Sequence, residues 1–560
     1  MKIPYLPKKP EKKSCHNIEW EDNYSWIHQP NILEVLKDSS KLLPEVRKYL
    51  EDENAFTEHH LKETKDTQRK LFDEIKGRIK LDDESLPYKD LEYEYWTKTT
   101  TEGNYSIKLR KKIGTDKIEE IWNGDKEKEK LDTKYFGVGD LEVSWNDKYL
   151  GYSLDLKGSE YYTILIRDIL TNKLVTEKIE DTSGSISFSL DDKYIFYSKL
   201  DKFHRPKKIL RHKIGTSVKN DELIFEEKSE AFTVGIGLSS DEKYFFITSS
   251  DHNTSEQYYF KVEEENPKPK MIKERKKGII YSVNSWNNNF YMHTNENAED
   301  FKIDVCKDLL NQKWESYIPA KNEILIGGLT FLNNWILRSE ISNALAKIFA
   351  KNVKTNIEEE IIFTEEKVID PSVSLIQKDR NTDYVHLSYS SPKTQGRVYL
   401  YNLKTKQNKL VKEQEIPSGH NPDDYIVERL ECSSHDGRMV PITITRKKNT
   451  KIDGSANLLL YGYGSYGSSM TPSFSSTRLS IINRDIIWVT AHVRGGMERG
   501  MKWWKEGKLT NKKNTFEDYI AVAKFLIEKK YTSKEKIIGM GGSAGGLLMG
   551  AVVNKSLNYF

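Results

Sequence analysis

The chain has 560 residues and a mass of 65.2 kDa, which is too long for one ordinary core, so at least two domains are expected. Its 88 Lys and Arg nearly balance 85 Asp and Glu, and a net charge of +3 argues against a nucleic-acid-binding surface. No apolar run reaches the roughly 20 residues of a membrane span, and three distant cysteines exclude a disulfide framework or metal cluster.

The amino-terminal segment, residues 1–75, combines a Pro-rich start with helical periodicity. Leu42, Val46, Leu50 and Phe56 recur at helical intervals between many charged residues. This pattern predicts helices that lie on a surface. Because the start has no apolar run of the signal-peptide type, we expect a cytoplasmic protein.

Residues 76–415 have short aromatic and β-branched strands that recur after turn residues. The segment "WNDKYLGYSLD" returns as "LDDKYIFYSKLD" and "SSDEKYFFITSSD", with weaker echoes further on. The spacings are 45, 50, 46, 45 and 49 residues between the aromatic anchors Tyr149, Tyr194, Tyr244, Phe290, Trp335 and Tyr384. This period fits the four-stranded blades of a β-propeller.

One further strand group, at 91–123, brings the predicted count to seven blades. The alternative for this region is an all-β sandwich in which the spacing arises by chance. Six repeats in register favour the propeller.

Residues 416–560 predict an α/β sheet. Two apolar runs that end in glycine, 457–464 and 485–496, are typical of strands buried on both faces. An amphipathic helix follows at 514–530, with Asn514 or Thr515 as its expected cap. The strand–helix–strand order indicates an open sheet with helical crossovers.

A reactive serine is predicted at the end of the last strand. Residues 541–545 read Gly-Gly-Ser-Ala-Gly, a G-x-S-x-G match between an apolar strand and a helix rich in small residues. Such a turn holds Ser543 in a strained conformation, and the Ala544 N–H at the helix start would contribute to an oxyanion hole. The alternative, a phosphate-binding turn, lacks both G-K-[ST] and G-x-G-x-x-G.

A serine hydroxyl needs a base, and in this type of fold an Asp or Glu and then a His follow the nucleophile. Only 17 residues follow Ser543, and none of them is Asp, Glu or His. The triad Asp and His are therefore expected to be absent from this chain, and the hydrolase domain to be incomplete at its carboxyl end. The strand at 536–540 should then be an uncovered apolar edge. A fragment, a split gene and a decayed gene all remain open. His492, inside a predicted strand, is expected to be structural.

Four segments together resemble the prolyl oligopeptidase family of serine peptidases, in its oligopeptidase B branch. They are "LLLYGYGSYGSS" (458–469), "AHVRGGMERG" (491–500), "GKLTNKKNTFEDY" (507–519) and "GMGGSAGGLLMGAVVN" (539–554). The resemblance implies a seven-bladed propeller over an α/β-hydrolase domain, with the active site between them. It also implies that the segment 1–75 wraps onto the catalytic domain.

The resemblance assigns roles to further residues. Tyr463 would donate its hydroxyl to the oxyanion hole, for which a neutral phenol is suited. Arg494 and Glu498 would shape the substrate-binding cleft, as an ion pair before any substrate contact. Bacterial members carry an acidic pair where this sequence has Thr471 and Ser473, which argues against a preference for paired basic residues.

The leading hypothesis is a serine endopeptidase that cleaves short peptides after Lys or Arg through an acyl-enzyme on Ser543. No cofactor, metal, nucleic acid or membrane is expected as a partner, and we expect a monomer or weak dimer. One alternative is an inactive remnant that binds peptides or a protein partner. Another is an esterase or aminopeptidase-like relative that uses the same site.

Overall fold

The computed structural model describes residues 1–556 of the chain. The chain divides into two compact units, of which the first contains Met1–Glu74 and Lys126–Gly237. The second contains Ile75–Asp125 and the residues from Leu238 onward. The division predicted from sequence, at 75 and 415, stays a prediction, as does the packing of 1–75 on the catalytic domain. In the described part of the chain, none of the helices has the length and apolarity to cross a bilayer.

The first unit begins with a hairpin and three helices. The hairpin turn has left-handed backbone at both His16 and Asn17, as a two-residue turn between twisted strands requires. The elements are β1 (Glu11–Cys15), β2 (Ile18–Asp22), α1 (Ile32–Lys37), α2 (Pro44–His60) and α3 (Lys65–Lys76). The helices predicted from the spacing of Leu42, Val46 and Leu50 are confirmed, and Pro44 occupies the first turn of α2, where no hydrogen bond is lost.

A five-stranded sheet follows in the second unit. Its strands run in the order β3-β5-β6-β7, with β4 also paired to β5. The elements are β3 (Asp83–Glu84), β4 (Tyr88–Asp90), β5 (Tyr93–Thr99), β6 (Ile107–Lys112), β7 (Ile118–Asn123) and the short α4 (Gly124–Glu129).

The first unit then forms one antiparallel sheet of seven strands. They are β8 (Gly137–Val143), β9 (Tyr149–Asp155), β10 (Tyr162–Asp168), β11 (Ile179–Phe188), β12 (Tyr194–Leu200), β13 (Pro206–Lys213) and β14 (Glu222–Glu226). The ten-residue β11 pairs with β10 near its start and with β12 toward its end, with a register shift on each side. The two repeats that begin at Tyr149 and Tyr194 therefore share one sheet.

Four further antiparallel sheets of four strands each follow in chain order. Their strands are β15 (Thr233–Leu238), β16 (Tyr244–Ser250), β17 (Ser255–Lys261), β18 (Lys270–Lys273); β19 (Tyr281–Trp286), β20 (Asn289–Thr294), β21 (Lys302–Cys306), β22 (Glu315–Ile318); β23 (Leu325–Phe331), β24 (Trp335–Ser342), β25 (Leu345–Asn352), β26 (Glu358–Glu360); and β27 (Asp370–Ser374), β28 (Tyr384–Ser390), β29 (Arg397–Asn402), β30 (Asn408–Glu413).

The repeat read from the sequence corresponds to real structure, but the blade count was wrong. Each of the six anchors lies at or next to the start of a strand, and Tyr244, Trp335 and Tyr384 begin the second strand of their sheets. However, the pairing gives five sheets of four or five strands plus the continuous seven-stranded sheet, so seven separate blades are not formed. The long, doubly paired β11 is the physical reason.

The carboxy-terminal part of the second unit is a mixed sheet in the order β31-β32-β34-β33-β35. Strand β33 runs parallel to both β34 and β35, and β31, β32 and β34 are antiparallel neighbours. The elements are β31 (Tyr425–Ser433), β32 (Met439–Lys447), β33 (Leu458–Tyr461), α5 (Ser476–Ile482), β34 (Ile487–Ala491), α6 (Gly500–Lys505), α7 (Lys513–Glu528), β35 (Ile537–Met540) and α8 (Ala544–Ser556).

This sheet has the interior that its apolar runs predict. Leu458, Leu460 and Val489 are fully buried, and they pack against Tyr519 and Leu526 of α7. The predicted caps of α7 were wrong. Asn514 and Thr515 lie inside the helix, after the N-cap Lys512. The Asn514 side chain donates to the Glu506 carbonyl, and the Thr515 hydroxyl contacts the carbonyls of Arg494 and Gly507.

Candidate active site

Ser543 lies in the turn between β35 and α8, and its backbone is left-handed, with φ of 53°. This conformation costs a non-glycine residue about 1–2 kcal/mol, so the surrounding turn must enforce it. The Gly545 N–H donates to Gly542 O at 2.8 Å, and the Gly546 N–H donates to Ser543 O at 2.8 Å. Hydrogen bonding of the helical type therefore starts at Gly542 and includes Ser543, which is exposed at a tight strand-to-helix turn.

Two of the glycines that flank Ser543, Gly541 and Gly545, are required by close backbone contacts, whereas a Cβ on Gly542 would meet no atom within 4 Å. A Cβ on Gly541 would lie 2.5 Å from Gly545 O, and one on Gly545 would lie 3.0 Å from Gly462 O. Real Cβ atoms do not approach carbonyl oxygens this closely without displacement. The turn thus depends on glycine at positions 541 and 545, on both sides of Ser543, as the sequence motif indicates.

Tyr463 follows β33 and lies beside this turn. The Gly462 N–H donates to Met540 O at 3.1 Å, and the Tyr463 Cα is 3.8 Å from the position a Gly545 Cβ would occupy. Ala544 is the first residue of α8, so its N–H has no acceptor within the helix. The structure brings Ser543, Tyr463 and Ala544 together; the oxyanion roles of the latter two stay predictions.

Ser543 and one side of the elements that flank it are open to solvent. Ser543 is exposed, and among residues 1–556 no side chain is hydrogen-bonded to its hydroxyl. Large apolar side chains around it are exposed as well, namely Ile538 at 50%, Met540 at 45%, Leu547 at 60% and Val553 at 45%. The uncovered apolar edge expected at 536–540 is present.

Arg494 does not pair with Glu498, so that part of the prediction was wrong. The Arg494 guanidinium donates to both carboxylate oxygens of Asp518, at 2.6 and 2.9 Å, and to Asp436. These acids raise the pKa of Arg494 against the effect of burial. The ion pair between Arg494 and Asp518 links the end of β34 to α7. Since Arg494 is only 1% exposed and Asp518 is 0% exposed, the pair presents no surface to a substrate.

Glu498 is also interior and structural. Its side-chain Oε1 accepts the Met470 N–H at 2.9 Å, and its backbone carbonyl accepts the Ala344 N–H from the β24–β25 turn at 2.9 Å. Burial raises the pKa of Glu498 to about 7, against smaller lowering effects, first from the Met470 N–H hydrogen bond and last from the Arg429 cation. At 1% exposure its side chain, like that of Arg494, does not form the cleft contact that the resemblance implies.

His492 is a structural residue, as expected. Its Nε2 lies 2.7 Å from Thr443 Oγ1 and 2.9 Å from Arg429 Nη1. Burial, and then the Arg429 cation, hold the pKa of His492 well below its usual value. A neutral, fully enclosed imidazole that is already bonded does not serve as the base for Ser543.

Sequence reasoning missed Lys512, which donates its ammonium to the Gly464 carbonyl, just after Tyr463. It singled out Thr471 but not its partner, since the Thr471 hydroxyl donates to Asp370 Oδ2 at 3.0 Å. Both contacts join residues that are 48 and 101 positions apart, so no local spacing could reveal them.

A left-handed serine between a parallel strand and a helix, with a second strand end packed against the turn, defines an α/β-type serine hydrolase. The described residues contain no group of three or more His, Cys, Asp or Glu side chains that could hold a metal ion.

Comparison with known proteins extends this assignment. A family model described as the N-terminal β-propeller domain of prolyl oligopeptidase matches residues 4–414, and a model of the prolyl oligopeptidase family matches residues 472–560. The chain belongs to the prolyl oligopeptidase family of serine peptidases.

Individual relatives align along nearly the whole chain. It is 31% identical to dipeptidyl aminopeptidase BI of Pseudoxanthomonas mexicana, over 98% of this chain and 77% of that protein. It is 30% identical to protease 2 of Moraxella lacunata, over 100% of this chain and 80% of that protein. Oligopeptidase B from Trypanosoma brucei, in a closed form with covalently bound antipain, superposes with a TM-score of 0.92 at 26% identity, over 100% of this chain and 81% of that one.

Proposed function

We propose that this protein is a serine endopeptidase that hydrolyses short peptides after Lys or Arg through an acyl-enzyme on Ser543. The observation that carries the proposal is the left-handed backbone of Ser543 at the start of α8, packed against the strand end that carries Tyr463. Membership in a family of serine peptidases supports Ser543 as the serine that attacks the peptide bond.

In this mechanism the Ser543 Oγ attacks the scissile carbonyl carbon and loses its proton to a base. The Tyr463 hydroxyl and the Ala544 N–H donate hydrogen bonds to the oxyanion of the tetrahedral intermediate. The C–N bond then breaks, the amine leaves with the proton, and water hydrolyses the resulting ester by the reverse proton route.

The base and its orienting acid are not assigned to any residue here. Residues 544–560 contain no Asp, Glu or His, and His492 is enclosed. The proposal therefore leaves these two groups unassigned. This chain covers 77–81% of the length of the relatives named above.

Preference for Lys or Arg rests on the oligopeptidase B resemblance, with protease 2 and oligopeptidase B as similar proteins. A second candidate is removal of dipeptides from a free amino terminus. The 31% identity to a dipeptidyl aminopeptidase favours it to a comparable degree.

Fluorogenic peptides distinguish these activities in the purified protein. We expect cleavage of an amino-blocked peptide ending in Arg, little cleavage of the matching Pro peptide, and loss of at least roughly a thousandfold in Ser543→Ala. Cleavage restricted to dipeptide substrates with a free amino group would favour the second candidate. No cleavage of any peptide, despite a folded protein, would overturn the peptidase proposal.

We further propose a cytoplasmic location and short peptides as the only partners. The three cysteines are unpaired, as is usual in a reducing compartment. Fractionation of cells, with detection of the protein in soluble and exported fractions, tests the location.

A further inference from the structure

Lys512 lies immediately before α7, and its ammonium contacts the loop that follows Tyr463. Its Nζ donates to the Gly464 carbonyl at 2.5 Å and to Ser465 Oγ at 2.8 Å. Burial lowers the pKa of Lys512 to about 8, and among residues 1–556 no carboxylate counteracts this effect. Burial of a cation that is bonded only to neutral oxygens costs free energy. Groups perturbed in this way occur frequently at functional sites.

The Gly464 carbonyl is held on its other side by close backbone packing. A Cβ on Gly495 would lie 1.8 Å from Gly464 O, so Gly495 must be a glycine for the two chains to approach. Gly464 itself is left-handed, with φ of 68°, and a Cβ there would lie 2.5 Å from Thr515 Cγ2. The carbonyl is thus fixed between the Gly495 backbone and the Lys512 ammonium.

Tyr463 is consequently fixed at both of its neighbours. On one side, the Gly462 N–H donates to Met540 O of the nucleophile strand. On the other side, the Gly464 carbonyl accepts from Lys512. The backbone of Tyr463 has little freedom to move relative to Ser543.

We propose that Lys512 is a positioning residue for acyl transfer, which fixes the Tyr463 backbone so that its hydroxyl reaches the oxyanion. This inference rests on the proposed function of Ser543 and Tyr463. The charge of the ammonium strengthens its hydrogen bond to the Gly464 carbonyl, because a charged donor binds an oxygen more tightly than a neutral one.

Replacement of Lys512 should lower kcat more than it changes KM. For Lys512→Met, we expect a kcat reduced roughly ten- to a hundredfold and a KM within about threefold of the original, because misplacement of an oxyanion donor affects the transition state. A peptide aldehyde, which forms a tetrahedral adduct with the serine, should lose affinity in parallel with kcat/KM. The control is Lys513→Met, at the adjacent, exposed lysine.

The pH profile separates positioning by a charge from a merely structural contact. As pH rises through about 8, Lys512 loses its charge, so kcat should fall on the alkaline side. Lys512→Arg keeps the charge at all accessible pH values, so its alkaline limb should move upward, whereas Lys512→Met should lack the limb. An alkaline limb identical in all three proteins would overturn the inference.

Hydrogen exchange tests the clamp without any need for activity. Amides of residues 463–467 should exchange at least about tenfold faster in Lys512→Met than in Lys513→Met, and unchanged exchange would overturn the inference. If the original protein cleaves no peptide at all, the proposed function fails, and the exchange result alone decides whether Lys512 fixes this loop. If Lys512→Met does not fold, Lys512→Arg supplies the decisive pH profile.

Discussion

Two edge strands of the second unit, β26 and β35, differ in the polarity of the side chains that they expose to solvent. Strand β26 consists of Glu358–Glu360, all exposed and paired with basic side chains from neighbouring segments. Strand β35 is the last strand of its sheet among residues 1–556, and it exposes Ile538 and Met540. Charged edges resist association with other chains, and apolar edges invite it.

Strand β26 therefore ends its sheet with charged side chains, whereas β35 presents apolar side chains to solvent at the edge of its sheet. Nearby Leu547 and Val553 extend the exposed apolar surface onto α8. The interior beside the same sheet is tightly organised, with a buried ion pair between Arg494 and Asp518 and the buried carboxyl group of Glu498. The carboxy-terminal sheet therefore combines an interior that contains buried ionisable groups with an edge that exposes apolar side chains.

The largest expected effect comes from the buried charges. Arg494→Met leaves the Asp518 carboxylate, fully buried, without its cation. We expect this variant to lose about 3–5 kcal/mol of unfolding free energy. Urea unfolding, followed by fluorescence of Trp503 near the Arg494 guanidinium, measures it.

The matched control is Lys505→Met, which breaks an exposed ion pair with Glu299 and should cost less than about 1 kcal/mol. An Arg494 variant as stable as this control would show that the interior does not depend on its charges.

An intermediate effect is expected from Glu498. Because burial raises its pKa from 4.5 to about 7, the folded protein retains a proton that the unfolded chain has released. This contribution to stability is complete below about pH 4.5 and is lost as pH rises through about 7. Glu498→Gln keeps the neutral form, so between pH 5 and 8 its unfolding free energy should fall less than that of the original, by up to about 3 kcal/mol.

Urea unfolding at the two pH values checks this prediction, with the exposed Glu528→Gln as control. Parallel pH dependence in the original and both variants would contradict a neutral Glu498.

The smallest effect on stability, but a clear effect on association, is expected at the edge itself. Met540→Lys places a charge on the exposed side of β35 and should change unfolding free energy by less than about 0.5 kcal/mol. Chain 1–560 carrying it should show less self-association in sedimentation experiments than the original chain. Glu359→Lys, on the charged edge β26, should change association little. Equal association of the original chain and the Met540 variant would remove the contrast between the two edges.

Local patterns predicted much of this molecule. The repeat from Tyr149 to Tyr384 located six strand starts, and the glycines around Ser543 predicted its turn, because both signals depend on neighbouring residues. The partners of Arg494 were missed, because Asp436 and Asp518 are 58 and 24 residues away in sequence. The blade count was wrong for a related reason, since the double pairing of β11 depends on register between strands and not on composition.

The shared strand β11 also bears on how the molecule opens. A repeat whose sheet is separate can detach from its neighbour at the cost of side-chain contacts alone. Here the repeats at Tyr149 and Tyr194 are joined by backbone hydrogen bonds in one continuous sheet. Separation of one repeat from the other would therefore break backbone hydrogen bonds of both. We therefore expect the two repeats to open as one cooperative unit, with backbone amides that exchange with solvent together.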